Sequence, residues 1–224
     1  LHLVPGNYFV IGGRPSAGKT ALSLQLAAGM AKQGKRVCYF SLETDPATLQ
    51  ARLIANQLYA PLSAVKNKTL SINELDRLAD MKRWPLYIRS AAGKGVAWIK
   101  AQALRMKADI IFVDYLQLIH ERGSSDRYNA ITEISIALHE LAQTTGILVV
   151  ALAQLNRNAA RAEPSNADLR ESGQIEQDAD AILLLSADGD TYFSRLTKNK
   201  EGRVGNAGLE FDKMTQHFTC VTAN

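Results

Sequence analysis

The stretch Gly13-Arg14-Pro15-Ser16-Ala17-Gly18-Lys19-Thr20 limits the possible folds of this chain more than any other. It follows an apolar run, Tyr8-Phe9-Val10-Ile11, and opens a segment with Leu22, Leu26 and Met30 at helical spacing. The pattern is G-x-x-x-x-G-K-[ST], set between a strand and a helix as a phosphate loop requires. Glycines let the backbone turn so that successive N–H groups face one concavity, where they hold phosphate oxygens. The helix N-terminus adds positive potential. Lys19 is expected to reach the β- and γ-phosphates of a nucleotide, and the Thr20 hydroxyl to ligate Mg²⁺. Gly13, Arg14, Pro15, Ser16, Ala17 and Gly18 form the rest of the expected cradle.

Beyond this loop, apolar runs alternate with amphipathic stretches. Residues 36–42 read as a second strand, and Asp45-Pro46 as an N-cap with proline at the first helical position, followed by Leu49 and Leu53. Ser71 and Glu74 form a capping box for a helix carrying Leu75, Leu78 and Met81, closed by Pro85. Residues 86–88, 110–113, 147–152 and 181–185 are further strands. Between them, Val96, Ile99, Ala103 and Met106, then Ile131, Ile134, Leu138 and Leu141, repeat at helical spacing, with Gly146 as a C-terminal stop. Runs at 192–196, 209–211 and 218–221 suggest a closing antiparallel set. Continuous apolar strands alternating with helices mean an α/β fold: a mostly parallel twisted sheet with helices on both faces. Residues 1–224 are read as one domain, with a loop expected at 156–168.

Bulk properties exclude some classes. No stretch approaches the roughly 18 to 20 uninterrupted apolar residues that span a bilayer, and no charged and apolar leader opens the chain. Cys38 and Cys220 lie in strand-like runs, read as buried free thiols suited to a reducing cytoplasm. A net charge of +4 is only mildly basic and says little about polyanion binding. The chain begins at Leu1 without an initiator Met, which suggests a piece of a longer protein.

A phosphate loop needs a metal-side acid at the end of a neighbouring buried strand, and Ile110-Ile111-Phe112-Val113-Asp114 supplies one. Glu43 follows the strand ending in Phe40-Ser41-Leu42, at the sheet edge where ligands gather; it reads either as a base for the attacking water or as a helix-start carboxylate. Gln154, after the 147–152 strand, is placed to hydrogen-bond a γ-phosphate.

Several segments together resemble the RecA-like ATPase domain of DnaB-type replicative DNA helicases, in order over about residues 5–220. The loop with its Arg-Pro-Ser is similar to that family's first motif, and Phe40-Ser41-Leu42-Glu43 to the second, whose glutamate is the catalytic base. Val113-Asp114-Tyr115-Leu116-Gln117-Leu118 resembles its Mg²⁺-binding strand, and Gln154-Leu155-Asn156-Arg157 the segment whose glutamine senses the γ-phosphate. Most diagnostic is Asp168-Leu169-Arg170-Glu171-Ser172-Gly173-Gln174-Ile175-Glu176-Gln177-Asp178-Ala179-Asp180. The resemblance implies an ATP hydrolase and 5′–3′ helicase using ATP and Mg²⁺, a homo-hexamer in the full-length protein, single-stranded DNA as track, and a loader and primase as partners. It implies replication in the cytoplasm of a bacterium, or of one hosting a phage, prophage or plasmid.

By the same resemblance, Arg170, Glu171 and Gly173 touch the DNA backbone; an arginine and a glycine N–H are good phosphate donors, whereas Glu171 suits a role in positioning the arginine. Arg170 as a surface salt-bridge residue stays open. Arg52, nine residues after Glu43, reads either as a nucleotide contact or as a solvated charge. Lys198 matches a family lysine that reaches a neighbouring subunit's ATP site, but Lys200 stands where the family has an arginine finger, and Arg203 is an alternative. Lysine keeps the charge and loses the planar fork. The family's N-terminal collar domain and linker helix have no counterpart in this sequence, so the chain alone is expected to associate weakly. Two other functions share the phosphate loop: a RecA-like strand-exchange ATPase, against which the 168–180 string argues, and a non-motor ATP-binding interaction module.

Overall fold

The computed structural model describes residues 2–120, 127–155, 165–169 and 173–221. Its elements run β1 (Tyr8–Gly13), α1 (Lys19–Lys32), β2 (Val37–Ser41), α2 (Pro46–Leu58), α3 (Leu62–Asn67), α4 (Ile72–Met81), β3 (Leu86–Ser90) and α5 (Val96–Arg105). They continue as β4 (Ile110–Asp114), α6 (Arg127–Thr145), β5 (Leu148–Gln154), α7 (Gly173–Asp178), β6 (Ala181–Asp188), β7 (Thr191–Asn199), β8 (Gly205–Asp212) and β9 (His217–Val221). Short 3-10 turns cover Leu116–Leu118 and Asn166–Leu169.

The caps read from sequence act as expected. Asp45 accepts from the Ala47 and Thr48 amides at 2.9 and 3.2 Å, with Pro46 opening α2. Ser71 and Glu74 make the reciprocal capping box of α4. Gly146, at φ 70°, ends α6 and donates to the Ala142 carbonyl. Glycine reaches that left-handed conformation without a Cβ clash.

Among the described residues the strands form one sheet in the order β3-β2-β4-β5-β1-β6-β7-β8-β9. From β3 to β6 every pairing is parallel, and from β6 to β9 every pairing is antiparallel. Parallel strands buried on both faces carry unbroken apolar runs. Here Val10, Cys38, Ile111 and Val149 face the layer of α5 and α6, while Phe9, Tyr39, Phe112 and Val150 face that of α1 and α2. The antiparallel strands are half-exposed, and there one correction arises: Cys38 is buried, but Cys220 is exposed. Cys220 lies on the edge strand β9, where three of five residues face solvent, so an apolar run does not ensure burial there.

The register aligns the carboxyl ends of the central strands. Gly13 lies opposite both Gln154 and Leu185, and Ser41 lies opposite Asp114. At the far edge, β9 is stitched to α1: the Gln25 amide donates to the Phe218 carbonyl and accepts from the Phe218 amide, both at 2.8 Å. Asn56 on α2 donates to Gln25 and to the Gln216 carbonyl, at 3.1 and 2.7 Å. Of the loop expected at 156–168, residues 156–164 lie outside the described residues.

Candidate active site

β1 delivers the chain into the loop through Gly13, where close approach leaves no room for a side chain: a Cβ would meet the Leu185 carbonyl at 2.9 Å and the Lys19 side chain at 3.1 Å. Gly18, at φ 90°, turns into α1 while the Phe218 ring sits 2.7 Å from where its Cβ would be. Ser16 also takes a positive φ, 63°. Ala17 closes the turn by donating to the Arg14 carbonyl at 3.2 Å. No side chain caps the N-terminus of α1. Arg14 and Pro15 are half-buried and Ser16 is exposed at the rim.

Lys19 is buried and folds back, its ammonium donating to the Gly13 and Arg14 carbonyls at 2.7 and 2.9 Å. Burial pushes its pKa down to about 8, against the pull of the Asp114 and Glu43 charges. Asp114 is buried at the end of β4, where Oδ2 accepts from Thr20 Oγ1 at 2.9 Å and from the Tyr39 hydroxyl at 2.8 Å. Burial raises its pKa above the usual carboxylate value, offset by those two bonds and by Lys19. Tyr39 lies 2.8 Å from the Ser23 hydroxyl, so a relay of four side chains, Ser23, Tyr39, Asp114 and Thr20, ties α1 to β2 and β4.

Glu43 sits exposed just beyond β2. The strand end is held by Leu42 donating to the Asp114 carbonyl at 2.8 Å, and Glu43's charge acts on both Lys19 and Asp114. Gln154 ends β5 beside Gly13, and the next amide, Leu155, donates to the Gly13 carbonyl at 3.1 Å. Arg52 is half-buried on α2, and its charge acts on the Tyr39 hydroxyl. Lys19, Thr20, Asp114, Glu43, Gln154 and Arg52 thus gather around the carboxyl ends of β1, β2, β4 and β5, where ligands bind in open α/β sheets.

Lys198 and Lys200 do not join them. β7 runs antiparallel to β6, so Asn199 pairs with Ala181 at the amino edge of the parallel strands, whereas the loop leaves at Leu185. Four residues of strand separate the two levels, about 13 Å. Lys198 Nζ donates to the Glu176 carbonyl and, at 3.1 Å, to that of Gln177 at the end of α7. Lys200 pairs with Asp180 at 2.7 Å, and Asp180, buried, also accepts from the Tyr8 amide at 2.8 Å. Arg203 lies in the β7–β8 turn, its carbonyl accepting from Asn199 at 3.0 Å. Gly173 opens α7, while Arg170 and Glu171 lie outside the described residues.

Sequence reasoning missed Tyr39 and Ser23, which read only as a strand residue and a helix residue. It also missed Asp180, whose partners come from both ends of the chain. The donor set fits a hard cation: one hydroxyl and one carboxylate, both oxygen, beside a loop shaped for phosphates. Among the described residues no three His, Cys, Asp or Glu side chains converge as a protein-only metal cage. Mg²⁺ suits such a site, because it keeps waters and takes one or two side chains plus substrate phosphates.

The profile of the DnaB-like helicase C terminal domain matches residues 2–220. The replicative DNA helicase DnaB of Treponema pallidum is 36% identical over 223 residues, covering 94% of this chain and 51% of that protein. A solved ATPase domain superposes with a TM-score of 0.90 at 29% identity, covering 98% of this chain and 86% of the other. A solved DnaB-like replicative helicase, described with its interactions with primase, superposes with a TM-score of 0.87 at 30% identity, over 96% of this chain and 57% of that one. The chain spans about half the length of the curated relatives it matches. No described helix is long and apolar enough to cross a membrane. With its RecA-like sheet and this site at the sheet's carboxyl edge, the chain belongs to the DnaB-like helicase C-terminal domain family.

Proposed function

We propose that this chain is the motor domain of a replicative DNA helicase, hydrolysing Mg-ATP at the interfaces of a hexameric ring to move 5′ to 3′ along single-stranded DNA. The observation that carries this reading is the meeting of Thr20 and Asp114 at 2.9 Å at the foot of the phosphate loop, with Lys19 buried beside them. Relatives named as replicative helicases support it.

Lys19 holds its ammonium on two carbonyls, neutral partners that it exchanges for the charged oxygens of a phosphate. Thr20 and Asp114 would hold Mg²⁺, which when bound would neutralise charge on the nucleotide's phosphates. Glu43, exposed and within electrostatic reach of both, orients and deprotonates the attacking water. Gln154 contacts the γ-phosphate, and Arg52 the nucleotide. Lys198 and Lys200, at the opposite edge of the sheet, serve a neighbouring subunit's site. Arg170 and the Gly173 amide hold the DNA backbone, with Glu171 orienting the arginine. A loader and primase act as partners in cytoplasmic replication.

Calorimetry with Mg-ATP tests the site, and DNA-stimulated turnover in the full-length protein tests the motor. Micromolar uptake and stimulated hydrolysis are expected. No uptake overturns the nucleotide reading; uptake without DNA stimulation overturns the motor.

A further inference from the structure

β5 outruns its neighbour on one side. Its pairing with β4 ends at Val113 opposite Ala151, while its pairing with β1 continues to Gly13 opposite Gln154. Beyond Ala151, the edge of β5 that faces β4 is therefore no longer paired with that strand. The Gln117 side chain, on the 3-10 turn that follows Asp114, stands in its place at Gln154. Its Nε2 donates to the Gln154 carbonyl at 2.9 Å, and its Oε1 accepts from the Gln154 amide at 3.1 Å. A carboxamide presents one donor and one acceptor side by side, the same pair that a neighbouring strand would offer. Only one orientation of the amide satisfies both bonds, so the contact fixes the Gln154 backbone in direction as well as place.

The other side of the same residue is fixed to the phosphate loop. Leu155 donates to the Gly13 carbonyl at 3.1 Å, the oxygen that also accepts from Lys19 at 2.7 Å. The Gln154 backbone is thus held between the loop and the turn leaving the Asp114 strand, and the residue, half-buried, ends β5 beside Gly13.

We infer that Gln117 is a positioning residue for Gln154: it sets the γ-phosphate contact and couples it to the strand that carries Asp114. The inference rests on the proposed role of Gln154 and deepens it. A positioning role predicts a selective defect. ADP lacks the phosphate that Gln154 contacts, so its binding is indifferent to Gln117, whereas a triphosphate loses one well-placed hydrogen bond.

The test is calorimetry on the full chain with Mg-ADP and with the slowly hydrolysed Mg-ATPγS, for Gln154→Ala, Gln117→Leu, Gln117→Glu and the Gln154→Ala/Gln117→Leu double variant. Gln154→Ala is expected to reduce the triphosphate preference about five- to tenfold, the size of one hydrogen bond. Gln117→Leu is expected to match it with ADP affinity retained, and the double variant to lose no more than either alone. Gln117→Glu keeps the shape but sets a carboxylate against the Gln154 carbonyl, and gives the same selective loss. If Gln154→Ala lowers the preference while both Gln117 variants keep it, the inference is overturned and the site reading stands. If Gln117→Leu and Gln117→Glu weaken ADP and ATPγS equally, Gln117 is a general scaffold residue and the inference also fails. If Gln154→Ala leaves the preference unchanged, the role of Gln154 falls, and the inference with it.

Discussion

Two lysines at opposite edges of the same sheet are held in contrasting ways. Lys19, at the carboxyl edge, is buried on two backbone carbonyls, and burial lowers its pKa to about 8. Lys200, at the amino edge, is half-exposed and neutralised by the carboxylate of Asp180. A cation on neutral partners has most of its charge available to an arriving anion, whereas an ion-paired cation must first leave its carboxylate. The difference teaches that position in the fold, not residue type, decides which lysine can meet a phosphate within its own chain.

Four experiments sharpen or break this contrast. The largest effect is expected from Glu43→Gln, which leaves the Lys19 edge able to bind and removes the base: turnover falls about 10²- to 10⁴-fold while Mg-ATP affinity is kept. Steady-state ATPase with parallel calorimetry checks it, and undiminished turnover ends the catalytic assignment. Next, Lys19→Met should weaken Mg-ATP binding by about 10- to 100-fold, the range of a charge-assisted hydrogen bond, whereas Lys200→Met should leave it unchanged in the isolated chain.

The third concerns pH. Burial lowers the pKa of Lys19, and a bound triphosphate favours the protonated form, so affinity is full below about pH 8 and is lost as pH rises through that value. Between pH 7 and 9 the protonated fraction drops about tenfold, and Mg-ATP affinity with it. A flat profile would show that Lys19 keeps its proton by other means. The smallest effect belongs to the amino edge. Breaking the Lys200–Asp180 pair by Lys200→Met is expected to cost about 1 kcal/mol in urea unfolding, the upper end for exposed ion pairs, because the Asp180 carboxylate it leaves behind is buried. Asp180→Asn should cost more, because that buried carboxylate also accepts from the Tyr8 amide.

How far the sequence foretold these features depended on the range of the interactions. The phosphate loop, the Asp114 strand and the caps at Asp45 and Ser71 are local patterns, and each took the expected form. Helix α3 is six residues long and has no room for a periodic signal. Helix α4 carries Leu75, Leu78 and Met81 at helical spacing, yet none of its residues is buried, and Leu75 is 50% exposed. Periodicity reports that a helix has an apolar face but not that the fold covers it. Tyr39 and Asp180 act through partners far along the chain, which spacing in one sequence cannot reveal. The lysines 198 and 200 were linked to a phosphate site by resemblance alone, and topology places them away from their own.

The stitch between Gln25 and Phe218 joins the last described strand to the first helix, and the Phe218 ring fills the space beside Gly18. The floor under the phosphate loop is therefore completed by residues nearly two hundred positions downstream. Lesions in β9 that never touch a nucleotide would loosen its cradle, so a chain cut short of Phe218 would forfeit tight nucleotide binding while keeping every motif that names the site.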